Sequence, residues 1–268
     1  MIIIYAFLFI FGLVIGSFVN VLIWRIPREE GIVGGRSHCP HCGKMVAWYD
    51  LIPLLSFLLL NRRCRHCHQF ISWRYFLIEL YSGLVFVFSY QFSSGQSLAH
   101  WLIVVFLLEI YLALSVIDLE HLILPDKLII AGLIGVFIYG ILERPNIITV
   151  DLNVLSLNHL ATAGGLFAFF ALLWLSSKGQ WMGFGDAKLA LLIGLSFGFI
   201  GGMIVLYTAI IMGFLVGIFL LITAQADLKT KLPFGAFLGV SSSLYLLFGY
   251  GIILEQLGSI YTIINIFK

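Results

Sequence analysis

Residues 187–223 read AKLALLIGLSFGFIGGMIVLYTAIIMGFLVGIFLLIT, and Lys188 is the one charged side chain among them. A helix crossing a bilayer uses about 20 residues, so this run holds two crossings, Ala187 to Ile200 and Gly202 to Thr223, with the break expected at Gly201-Gly202. One long kinked helix is the alternative, and it would reverse the sidedness of everything downstream. The run does not alternate with period two, and backbone at membrane depth must satisfy its own hydrogen bonds, so it reads as helix rather than barrel strand. Working outward, the same pattern places spans near Ile2 to Trp24, Tyr75 to Gln91, Ala99 to Ile117, Leu128 to Leu142, Leu160 to Ser176 and Gly235 to Leu254.

Composition agrees. The chain has 268 residues, 61% hydrophobic and 10% charged, with a mean hydropathy of +1.08. A water-facing surface needs about a quarter of its residues charged, so a soluble domain is excluded, and a chain this apolar is not disordered. The formal net charge of +2 gives no reason to expect a nucleic-acid partner; the expected surroundings are membrane lipid.

Charge also sets the orientation. With eight spans and an outside N-terminus, the inside segments are 25–74, 118–127, 177–188 and 224–234. Of the 15 basic residues all but Arg144 and Lys268 then fall inside, as the positive-inside rule requires of the cytoplasmic face. Residues 1–24 lack the basic n-region of a signal peptide, and Arg25 and Arg28 follow the apolar run, so they read as an uncleaved span.

Between Arg25 and Arg74 the chain becomes polar and basic, and all four cysteines lie there, as Cys39-Pro40-His41-Cys42 and Cys64-Arg65-His66-Cys67. Two CxxC turns place four sulfurs on one tetrahedral centre, and on the reducing side of a membrane this reads as Zn2+ rather than disulfides. His38, His41, His66 and His68 flank the thiols but are not needed to complete the set. Four protein ligands close a site to water, so the metal is structural and chemistry must come from elsewhere. The expected fold is an all-α polytopic membrane protein of about eight transmembrane helices with a cytoplasmic zinc-binding loop between the first and second. Its parts are residues 1–24, the loop domain 25–74, and a seven-helix domain 75–268.

Acids are few. Asp118 ends the third span, Asp126 follows Pro125, and Asp186 opens the sixth span in Gly183-Phe184-Gly185-Asp186. All three fall on the inside boundary, so Asp118 and Asp186 can meet without distorting the topology. Two carboxyls brought within a few ångströms cannot easily both ionise, and such a pair can deprotonate a water and protonate a leaving amine. The competing reading is that Asp126 and Asp186 are helix N-caps and Asp118 is solvated. Glu109, about 13 Å deeper in the third span by helical rise, reads as structural.

These residues resemble the type IV prepilin peptidase family, membrane aspartic proteases of the GxGD class. Gly183 to Leu189 is similar to its second catalytic motif, and Ile117-Asp118 with Leu124-Pro125-Asp126 to its first. Gly16 to Val21, Arg25-Ile26-Pro27, the cysteine loop and Pro233 to Leu238 also resemble family signatures. The resemblance implies that Asp118 and Asp186 are the catalytic pair, that Asp126 is not, and that residues 75–268 are the peptidase domain. It implies prepilins or pilin-like proteins as substrates, cut on the cytoplasmic face of the bacterial inner membrane between a basic leader and a hydrophobic helix. Many members also methylate the new N-terminus with S-adenosylmethionine; no separate glycine-rich cofactor fingerprint is present here. Glu79 matches the family, whereas Asp50-Leu51 and Ala236 depart from its usual pattern. Glu29, Glu30 and Asp50 are acids of the inside loop available to a basic leader, set among eight basic residues. Rival readings are a proton-coupled transporter using the same carboxylates, and a non-catalytic zinc-bearing membrane scaffold.

Overall fold

A computed structural model describes residues 2–32, 34–93, 97–142, 156–224 and 230–249. Arg144, Lys229, Lys268 and the last five residues of the eighth expected span lie outside them. The described residues form eight α-helices: α1 Ile2–Arg25, α2 Leu55–Leu59, α3 Trp73–Phe92, α4 Leu98–His121, α5 Asp126–Leu142, α6 Leu157–Ser176, α7 Phe184–Ile222 and α8 Phe234–Leu244, the last continuing as a π-helical turn over Tyr245–Gly249. No strand occurs among them; extended pairing is limited to two isolated bridges, His38 with Met45 and Arg63 with Phe70. Four helices, α1, α4, α6 and α7, are long and apolar enough to cross a membrane.

The chain divides into two compact units, Met1–Ser94 and Gly95–Lys268. In the first, α1 and α3 pack through small residues. A Cβ on Gly12 would lie 2.6 Å from the Ser82 carbonyl oxygen, and one on Gly16 would lie 2.8 Å from the Glu79 Cα. Two helices in lipid gain nothing hydrophobic from meeting, so close backbone approach over such a small-xxx-small face supplies the contact. Asn20, buried one turn further on, donates to the Tyr75 carbonyl at 3.1 Å.

In the second unit α7 is not one rod. Gly198 has φ 61° and ψ −166°, a region open essentially to glycine alone. A Cβ on Gly202 would sit 4.0 Å from the Gly194 Cα, whereas eight residues of continuous helix would separate the two by about 12 Å. The chain therefore turns back on itself at Gly198. The break expected at Gly201-Gly202 is thus displaced, and those two glycines are helical. They serve packing: Gly202 faces Leu166 and Thr162 of α6, Gly201 faces Tyr245, and Gly194 lies so close to α6 that a Cβ would be 2.6 Å from the Ala163 Cα.

Candidate active site and metal centre

Asp118 occupies the last turn of α4. The helix stops just beyond it because Leu122 adopts a left-handed conformation (φ 55°) and returns its N–H to the Asp118 carbonyl at 2.9 Å, a C-terminal arrangement that satisfies an otherwise orphaned group. Its side chain, 5% exposed, accepts the backbone N–H of Ala236 at Oδ2, 2.8 Å. Ala236 is the third residue of α8, so Asp118 caps a helix from which it is 118 residues distant. Asp186, 6% exposed, is the third residue of α7 and not its N-cap. Its Oδ2 reaches back to the Gly183 N–H at 3.2 Å. That is half of a capping box, since glycine has no side chain to supply the other half. Each carboxyl thus sits on the unsatisfied donors and positive dipole end of a helix.

One leucine brings the two helix ends together. A Cβ on Gly185 would be 2.8 Å from the Leu124 Cβ, and a Cβ on Gly235 would be 2.7 Å from the Leu124 Cδ1 and 3.0 Å from the Asp118 Oδ2. Leu124 is therefore wedged between the glycine turn that precedes Asp186 and the turn that delivers Ala236 to Asp118. Above them α8 lies against α4, where Ser115 donates to the Tyr111 carbonyl at 2.7 Å and Gly239 sits so close that any Cβ would collide with the Ser115 Oγ. Tyr111, fully buried, meets the Ser196 hydroxyl at 3.2 Å and ties α4 to α7.

Asp126 stands apart from the pair. It opens α5 and forms an exposed ion pair with Lys188 at 2.6 Å, Asp126 being 59% and Lys188 33% exposed. This links the start of α5 to the first turns of α7. Glu109 is buried in α4, and none of the contacts that define the pair involves it. Glu79 is a structural acceptor in the first unit: its Oε2 takes the Leu54 N–H at 2.9 Å. What sequence reasoning missed is the role of Leu124 as the wedge and of Ala236 as the donor to Asp118. A main-chain donor leaves no side-chain signature, and only the string Pro233 to Leu238 marked its place.

Cys39, Cys42, Cys64 and Cys67 converge, with all four Sγ atoms within 4.8 Å of one another. The Cys39 and Cys67 sulfurs are 3.8 Å apart and all four cysteines are free thiols, so no disulfide joins them. Four sulfurs around a metal at about 2.3 Å would be separated by about 3.8 Å, the edge of the tetrahedron. The donor set fits a zinc ion. The two turns are built alike. Gly43 N–H bonds to Cys39 O at 2.8 Å and His68 N–H to Cys64 O at 3.0 Å, and both Gly43 and His68 have positive φ, 67° and 56°. Main-chain N–H groups of Cys67 and His66 draw the Cys64 thiol down to about 7, whereas desolvation and the other three cysteines push Cys67 up to about 11, so the Cys64 thiolate forms readily and Cys67 needs a metal's charge. None of the flanking histidines belongs to the cluster among the described residues.

A polytopic helical membrane protein with two buried carboxyls on two helix ends has the groups that a membrane aspartic peptidase needs. Comparison with known proteins narrows the class. The Bacterial Peptidase A24 N-terminal domain matches residues 10–92 and the Type IV leader peptidase family matches residues 101–218. A prepilin leader peptidase/N-methyltransferase of Vibrio cholerae is 34% identical over 215 residues, 72% of this chain and 79% of the relative. A type 4 prepilin-like proteins leader peptide-processing enzyme of Escherichia coli is 34% identical over 254 residues, 85% of this chain and 88% of the relative. A prepilin leader peptidase/N-methyltransferase of Myxococcus xanthus is 46% identical over 131 residues, which span 38% of its own length. No solved structure matches the chain. The chain belongs to the type IV prepilin peptidase family.

Proposed function

We propose that this protein is an aspartic endopeptidase that removes the leader from prepilins or pilin-like proteins at the cytoplasmic face of the inner membrane, with Asp118 and Asp186 as its catalytic pair. The observation that carries the reading is the convergence of two buried carboxyls on the N-termini of α7 and α8, with Leu124 between them. One carboxylate takes a proton from the attacking water while the other, protonated, gives its proton to the leaving amine. The helix-end N–H groups hold both carboxyls in place before substrate arrives, so little reorganisation accompanies the reaction.

The proposed topology keeps eight crossings. The reversal at Gly198 counts α7 as two passes, which preserves the sidedness that the positive-inside rule assigned. The cysteine centre is proposed to hold one structural Zn2+ through Cys39, Cys42, Cys64 and Cys67. N-methylation of the new N-terminus, with S-adenosylmethionine as methyl donor, is proposed from the names of the relatives. A transporter relay is disfavoured because both carboxyls lie at helix ends engaged by main-chain donors.

The test is cleavage of a purified pilin-like precursor by the wild type and by the Asp118→Asn and Asp186→Asn variants. Each variant is expected to lose at least about 100-fold in rate, the scale of general acid–base catalysis. Undiminished cleavage by either would remove the pair from the chemistry. Adding S-adenosylmethionine to the wild-type reaction and weighing the product tests methylation separately.

A further inference from the structure

Residues 51–60, between the two cysteine turns, read LIPLLSFLLL, an apolar run inside the most basic segment of the chain. Its outer face is bare: Leu55 is 49% exposed, Leu58 58% and Leu59 73%. Its inner face holds one buried anchor, Phe57, with ring centroids 5.3 Å from both Trp73 and Phe76 on the first turns of α3. Leu54, three residues earlier, reaches deeper. Leu54 donates its N–H to Glu79, which lies about two turns inside α3, roughly 9 Å along the axis. The segment therefore runs down the side of a helix that the sequence reads as spanning the membrane.

Its backbone is prepared for such surroundings. Irregular backbone at lipid depth must find its hydrogen bonds within the protein. Pro53 has no N–H to satisfy. The amides of Leu55, Ser56, Leu58 and Leu60 bond to carbonyls inside the segment, and the amide of Leu54, whose φ of 57° takes it off the helical path, goes to Glu79. After Asn61 come Arg62 and Arg63, whose guanidinium carbons lie 5.2 and 4.6 Å from the Phe70 ring centroid. An apolar stretch of about ten residues is too short to span and suits an interfacial position, and arginines beside aromatic rings match the headgroup level, where the cytoplasmic leaflet is anionic.

We propose that residues 51–60 are a membrane anchor of the cysteine module, with phospholipid acyl chains covering Leu55, Leu58 and Leu59 and the lipid phosphates meeting Arg62 and Arg63. Glu79 is then a positioning residue that pins the anchor by accepting the Leu54 N–H. The inference rests on the proposed sidedness of the loop and is independent of the catalytic assignment.

The experiment places p-benzoyl-L-phenylalanine at Leu59, and in a second protein at Leu55, in the full chain reconstituted in phosphatidylglycerol-containing nanodiscs. After irradiation, mass spectrometry identifies what each probe has captured. The expected main product at both positions is a phospholipid adduct. A cross-link to this chain, a cross-link to an added pilin-like precursor, or recovery of unreacted probe in place of lipid adduct would overturn the proposal.

Discussion

Gly235→Ala inserts one methyl group at the point where α8 meets Asp118. The new Cβ would lie 2.7 and 3.0 Å from the two δ carbons of Leu124 and 3.0 Å from the Asp118 Oδ2. Carbon atoms rest comfortably at about 3.5–4.0 Å, so the start of α8 or Leu124 must retreat by about 1 Å. Leu124 is itself held against Gly185, so the retreat falls to the start of α8; the Ala236 N–H to Asp118 bond is 2.8 Å long, and a lengthening of about 1 Å takes it beyond hydrogen-bonding distance. Misplacing a catalytic group by 1 Å costs about 100-fold in rate, so kcat for leader cleavage should fall by about two orders of magnitude while KM changes little. Leu124→Ala removes both colliding carbons. In the Gly235→Ala/Leu124→Ala protein kcat should recover at least about tenfold over Gly235→Ala alone, even though two residues have been changed. The assay is steady-state cleavage of a detergent-solubilised precursor, read by gel shift. Wild-type kcat in Gly235→Ala, or a double variant no faster than the single one, would refute the reasoning.

Other expectations follow from the same geometry. Asp126→Asn breaks an exposed ion pair and should leave cleavage within about threefold of wild type, because such pairs contribute little; a loss comparable to that of Asp118→Asn would move Asp126 into the chemistry. Gly198→Ala forces a side chain into a conformation that costs about 1–3 kcal/mol and brings its Cβ to 3.0 Å from the His159 Nε2, so thermal unfolding in detergent should shift to lower temperature. An unchanged midpoint would argue against the reversal there. Purified wild type should carry one equivalent of zinc and Cys64→Ser much less, measured by elemental analysis; a metal-free wild type with an ordered loop would remove zinc from the account. The Asp50 carboxyl, held below its usual range chiefly by hydrogen bonds from Arg65, contributes stability that is fully present above the ordinary carboxylate range, about pH 4, and is lost as pH falls through its lowered folded-state value. Limited proteolysis of the loop should therefore accelerate below that pH in wild type and be less pH-dependent in Asp50→Asn.

Much of this architecture was legible in the sequence because membrane depth imposes a simple rule on composition. The apolar runs predicted α1, α3, α4, α5 and α6 to within a few residues, and the cysteine spacing predicted one cluster. Gly201-Gly202 misled because a glycine pair looks like a break, whereas glycine in lipid serves close helix packing as often as bending; the strained φ sits at Gly198, which has no sequence mark of its own. The apolar character of LIPLLSFLLL is hidden in the sequence because charge counted over 25–74 averages it away. Asp118 and Asp186 were legible from motifs, but their donors were not, since Ala236 and Gly183 contribute only backbone.

The Oδ2 atom of each carboxyl is committed to a main-chain donor, and that division has a pharmacological consequence. In the proposed active site each Oδ2 has one lone pair engaged by a main-chain N–H, so a hydroxyl-bearing transition-state mimic finds fewer acceptor sites there than at Oδ1. Resistance by mutation at the pair would be narrow as well. A replacement must keep an acceptor for the helix end even if it abandons catalysis, so asparagine at 118 or 186 should yield a folded inactive protein where alanine would also loosen a helix.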